Sequence, residues 1–172
     1  MESNELFNLE TVIQYIEDSI YKKTNLVLSD LHIEKEGKAY QACYFKLNHK
    51  VIHSRLAKVT PKKIGQFVTF WKRNSNAITE PYNEEDDLDF LVINVKFKNR
   101  FGQFVFPKSI LIKKGIISTS KKEGKRGFRV YPIWNIAKNK QSIKTQKWQL
   151  DYFLEFNQLI TTKKINSLYH NT

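Results

Sequence analysis

The chain has 172 residues, 41% of them hydrophobic and 13% aromatic, which is enough to bury one core of ordinary size and too much for a disordered segment. It carries 29 Lys/Arg against 17 Asp/Glu, a formal net charge of +12. One cysteine, Cys43, excludes an intramolecular disulfide and a Cys-rich zinc site.

The N-terminus, MESNELFNLE, is acidic where a signal peptide would be basic, and the longest apolar runs fall far short of the ~20 residues of a membrane helix. A cytoplasmic protein is expected. Residues 5–21 place Leu6, Leu9, Val12, Ile13, Ile16 and Ile20 at helical spacing. Runs 39–47 and 51–59 around Asn48-His49-Lys50 read as a hairpin. In TPKKIGQFVTFWKRN, Thr60 and Pro61 suit an N-cap and a first helical position, and Ile64, Phe67, Val68 and Trp71 follow i, i+3, i+4, i+7. The expectation is a helix over 61–73, whose start beside Lys62 and Lys63 is either a phosphate seat or an ordinary basic face. Residues 74–87 read as a polar loop, 88–97 as a strand, 98–100 as a turn and 102–106 as the return strand, which Pro107 either ends or edges. SILIKKGIIS fits a helix or a strand equally. A basic loop at 119–126 leads to a strand at 127–131, with Phe128 and Val130 on one side and Arg129 and Tyr131 on the other. A long helix is expected over 139–160, and a frayed tail over 161–172.

The charge is uneven. Residues 1–60 balance eight basic against eight acidic residues, whereas residues 107–172 hold fourteen against three. Clustered Lys/Arg at a pI of about 9.7 is the electrostatic footprint of a nucleic-acid binder. A Lys-rich proteome would also raise the charge, but along the whole chain. Against this trend, five acids crowd into EEDDLD at 84–89. They could be a metal site, local neutralisation of nearby Lys and Arg, or a solvated turn. No glycine-rich phosphate loop and no H-E-x-x-H occurs. Cys43 has no basic neighbour in its strand and reads as a buried thiol.

Four stretches, AKVTPKKIGQFVTFWKRN at 57–74, GQFVFPKSIL at 102–111, GKRGFRVYPIW at 124–134 and KTQKWQLDYF at 144–153, together resemble the MepB family of small bacterial cytoplasmic proteins. The resemblance spans about residues 40–155. It implies a fold like that of type II restriction endonucleases, with nucleic-acid binding as the role. Nucleases of that fold carry an Asp before one strand and (D/E)-x-K on the next, so that two carboxylates hold Mg²⁺ and a Lys steadies developing charge. Asp87 and Asp89 supply the first acid. On the return strand the triplet ending in Lys is Phe106-Pro107-Lys108, with Phe in the acid's place; Asn94-Val95-Lys96 has Asn there, and Gln103 is neutral.

The expected architecture is therefore one mixed α/β domain over 1–160 with a restriction-endonuclease-like core. Its central mixed sheet would carry both hairpins and the 127–131 strand, flanked by helices. The expected function is nucleic-acid binding, DNA more than RNA, without cleavage and without a cofactor. One basic surface would carry it: Lys62, Lys63, Lys72, Arg73, Lys108, Lys125, Arg126, Arg129, Lys140, Lys144 and Lys147. Tyr131 and Trp134 are either stacking groups or core. The alternatives are a Mg²⁺- or Mn²⁺-dependent nuclease using Asp87 or Asp89, and an interaction module for an acidic protein.

Overall fold

In a computed structural model, which describes residues 8–170, a six-stranded sheet divides two apolar layers. The predicted N-terminal helix is present from Leu9; its first residues, 5–7, lie outside the described part. Helix α1 (Leu9–Ile16) is capped by Asn8, whose side chain accepts from the Thr11 N–H, and it runs on in widened and then tightened turns to Thr24. Strand β1 (Leu28–Ile33) follows, then the predicted hairpin of β2 (Cys43–Leu47) and β3 (Lys50–Leu56). Asn48 makes its turn at φ 56°, a value Asn tolerates well.

The stretch read as a helix at 61–73 is not one. It forms β4 (Lys58–Thr60) and β5 (Lys63–Thr69), an antiparallel hairpin turning at Pro61-Lys62, followed by the short β6 (Lys72–Arg73). Two periods were superimposed in the same residues. Ile64, Phe67, Val68 and Trp71 carry the helical spacing, but Gln66, Val68 and Phe70 alternate, and these are the buried ones. Gly65 decides between them. It sits at φ +83°, where a helix cannot pass, and a Cβ there would lie 2.7 Å from the Tyr131 ring. The helix N-terminus offered as a phosphate seat therefore does not exist.

β6 pairs with β7 (Thr79–Glu80) within the polar loop. The predicted strands appear as β8 (Phe90–Phe97) and β9 (Arg100–Pro107), joined in antiparallel register with Asn94 opposite Gln103. The ambiguous stretch after Pro107 is helical, α2 (Lys108–Lys113). Strand β10 (Gly127–Val130) alternates as expected, but it joins β5 and β4 in a separate three-stranded sheet, not the central one. The long helix at 139–160 is also shorter than its pattern. α3 (Lys140–Leu150) stops, and Phe153–Glu155 becomes β11 on the edge of β9. Gly102 admits that strand, since a Cβ there would sit 2.5 Å from the Phe153 ring. Nor is the end of the chain a frayed tail. α4 (Thr162–Tyr169) buries Ile165, Leu168 and Tyr169, because its apolar positions recur at i, i+3, i+4.

The central order is β1-β2-β3-β8-β9-β11, with β3 and β8 parallel and all other neighbours antiparallel. β8 is buried from Phe90 to Val95, as a strand covered on both faces should be. Phe90 and Val92 pack under α1 and α4; Leu91, Ile93 and Val95 pack under α2 and the small sheet. Through the middle runs a buried hydrogen-bond chain. Asn94 donates to Ser54 Oγ (3.1 Å), Gln103 donates to Asn94 Oδ1 (2.9 Å), and the Tyr169 hydroxyl donates to Gln103 Oε1 (2.6 Å). Each partner satisfies the next, so these amides are part of the core. Cys43 is buried, and burial pushes its thiol up to about 12. No helix among the described residues is long and apolar enough to cross a membrane.

His53 on β3 is packed between Tyr44 and Tyr82, and its Nδ1 has no hydrogen-bond partner. Burial first, and the Arg55 charge second, lower its pKa to about 4. The unfolded chain takes up this proton near pH 6.5, which the folded chain refuses until about 4. The contribution is thus fully present above pH 6.5 and is lost as pH falls toward 4. Urea unfolding at pH 7 and 4.5 should show about 2–3 kcal/mol more acid loss in the parent than in His53→Phe.

Candidate nucleic-acid interface

The β4–β5 hairpin, β10, the segment after α2 and the mouth of α3 enclose a cleft of ≈ 660 Å³. Six cations line it: Lys62, Lys63, Lys114, Lys125, Arg129 and Lys138. No carboxylate among the described residues does. Lys62 and Lys63 stand at the hairpin turn and are exposed. Arg129 is held from below: its Nη2 donates to Thr60 Oγ1 (2.7 Å) and its Nη1 to the Gly65 carbonyl (3.2 Å). Those acceptors are neutral, so the guanidinium charge is not cancelled. Lys114 ends α2 and lies over the Trp148 ring at 5.1 Å.

The wall opposite the hairpin is locked to β10 by two glutamines. Gln149 accepts from the Tyr131 N–H (2.8 Å) and donates to the Arg129 carbonyl (2.9 Å), and Gln146 donates to the Pro132 and Asn135 carbonyls. Asn139 and Ser142 form a reciprocal capping box that fixes where α3 begins and so places Lys138 at the cleft mouth. Trp148 splits its surface between the cleft and Phe106, with ring centroids 5.4 Å apart.

The eleven predicted binding residues do not all line this cleft. Lys62, Lys63, Lys125 and Arg129 line the cleft. Lys140, Lys144 and Lys147 do not: each precedes by one residue a cleft-lining position (Gln141, Thr145, Trp148) and so points about 100° around the helix. Four others meet protein acceptors. Lys72 pairs with Asp86 (2.6 Å) and Glu80 (3.5 Å), Arg73 with Glu36, and Arg126 with Glu123 (2.9 Å). Lys108 donates to the Asp86 carbonyl (2.7 Å). Lys114 and Lys138 were missed. The Asn139/Ser142 pair was the one sequence signal for Lys138; Lys114 had none.

The acidic run now has a structural explanation. Asp86 meets Lys72 and accepts from the Asn83 N–H, Glu84 accepts from the Ser120 N–H (3.1 Å), and Asp89 accepts from the Val51 N–H (2.8 Å). It ties loops together and neutralises Lys72. The residues do not fit a metal site. Among the described residues no three of His, Cys, Asp and Glu gather where they could share an ion. Asp87 is exposed, and on the Asp89 side of β9 stand Lys108, Phe106 and Phe104, the last two fully buried. Asp87 and Asp89, the expected ligands under the nuclease alternative, are thus joined by no third such group among the described residues.

A mixed-sheet α/β domain bearing a cationic, carboxylate-free cleft is the class that this geometry defines. The family model described as MepB-like matches residues 34–155, and the chain belongs to that family. It is similar to MepB, whose crystal structure is 38% identical with a TM-score of 0.76, covering 88% of this chain and 99% of that one. The bacterial homing endonuclease I-Ssp6803I superposes with a TM-score of 0.48 at 15% identity, over 87% of this chain and 93% of that one. No curated protein matches the chain.

Proposed function

We propose that this protein is a cytoplasmic bacterial nucleic-acid binder that holds the phosphate backbone of DNA in the cationic cleft and does not cut it. The observation that carries this is the gathering of six cations, from four separate stretches of chain, around one cavity with no carboxylate. Like charges so placed repel one another, and an anionic ligand relieves that cost. Phosphates would displace counterions from Lys62, Lys63, Lys114, Lys125, Arg129 and Lys138, so affinity falls with salt. The backbone has no sequence to read, so binding is expected to discriminate little between sequences.

The test is a titration of labelled duplex and single-stranded DNA at several salt concentrations, with and without Mn²⁺. The expected result is binding with a log–log salt slope of up to ~5 for duplex, and intact DNA throughout. Absence of binding at low salt overturns the proposal and points to an acidic protein partner. Metal-dependent cleavage that disappears in Asp89→Ala overturns the non-cutting part.

A further inference from the structure

Next to the cationic cleft, and sharing Lys63, Ile64 and Lys138 with it, lies a second pocket of ≈ 300 Å³. Its character is different. Val59, Ile64, Phe97, Trp134 and Ile136 give it an apolar and aromatic lining, and Val59, Phe97 and Ile136 are 57%, 41% and 79% exposed. Side chains of this kind are usually covered when they gather round one concavity.

Three polar side chains complete the lining, and each carries one buried atom with no hydrogen-bond partner: Gln66 Oε1, Trp134 Nε1 and Asn135 Oδ1. Gln66 itself is 1% exposed, and its amide nitrogen is already committed to the Lys96 carbonyl at 3.2 Å. A buried polar atom left unpaired is costly, and native chains carry few. Six such atoms occur among the described residues, and half of them belong to this pocket. The Trp134 ring lies under the Arg100 guanidinium at 4.8 Å and packs against Phe153 with centroids 5.7 Å apart, which fixes the indole in place.

We infer that this pocket receives an unpaired nucleobase from the strand whose phosphates lie in the cleft. The inference rests on the phosphate reading above and narrows it to single-stranded or locally unpaired nucleic acid. The chemistry fits on two counts. A planar heterocycle needs apolar or aromatic walls, supplied by Phe97, Trp134 and Ile136. Its sugar-phosphate must continue into a cationic track, which begins at the shared Lys63 and Lys138.

The experiment compares a twelve-residue oligo(dC) with a strand of the same length made of abasic sites, by fluorescence anisotropy at fixed salt. Intact bases are expected to bind about ten-fold tighter than the abasic strand. Phe97→Ala with Ile136→Ala, both at exposed positions, should remove that difference and leave the abasic affinity unchanged. Equal binding of the two strands, both salt-dependent, overturns the base pocket and leaves the phosphate cleft standing. Failure of either strand to bind at low salt overturns both.

Discussion

Lys62→Glu combined with Lys125→Glu is expected to weaken DNA binding by about 100-fold or more at ~0.1 M salt and to lower the salt slope by about two. Both lysines stand exposed at the cleft, and no carboxylate among the described residues lines the cavity with them. Reversal removes two phosphate contacts and adds two repulsions. The matched control is Lys140→Glu, Lys144→Glu and Lys147→Glu together, a larger change of net charge on the neighbouring face of α3. If the cleft geometry matters, the control falls by less than the double variant. If the whole field matters, the control falls by more, and the cleft loses its special standing. Both variants alter exposed positions, so thermal unfolding should move by no more than ~0.5 kcal/mol per site.

Glu34→Ala should cost about 3–5 kcal/mol of stability in urea unfolding, a large part of the total for a domain this size. Arg55 on β3 has a side chain only 3% exposed, and Glu34 grips it with two hydrogen bonds of 2.9 Å each. The guanidinium also rests over Phe70 at 5.5 Å. Removing the carboxylate strands a buried charge that neutral contacts such as the Ser54 carbonyl and the Phe70 ring cannot balance. Arg55→Met with Glu34→Gln removes the charge along with its partner and should cost markedly less. A smaller loss in Glu34→Ala than in the double variant would show that water reaches the guanidinium and that the pair contributes little.

The strands at the centre were legible because their signals were redundant. FLVINV, closed by Lys98-Asn99-Arg100, is too short for a helix and too apolar for anything but a strand covered on both faces, which β8 is. The hairpin around Asn48 combined β-prone flanks with a residue that accepts a left-handed turn. The segment 61–73 failed because its helical and alternating patterns coexisted, and the tie was broken by Tyr131, 66 positions away, packing on Gly65. Residues 139–160 failed for a related reason: Phe153 was drawn out of the helix by a place on the edge of β9 that exists only once the sheet is built. Asn94 and Gln103 could be noted as amides where a nuclease would want acid. Only their register showed that they bond each other.

By itself the sequence determined the mixed α/β class, the family, and the excess of positive charge in its last third, because composition and local periodicity are properties of the chain alone. It also determined that the triplet ending in Lys108 begins with Phe106 and not with an acid. Which cations act together was decided by tertiary structure. The side chains of Lys62, Lys114, Lys125 and Lys138 come from stretches up to 76 residues apart, and charge interactions depend on distance in space, falling off within about 8 Å in physiological salt. The same physics pairs Lys72, Arg73 and Arg126 with Asp86, Glu36 and Glu123, neighbours that only the folded chain or a local turn brings to them.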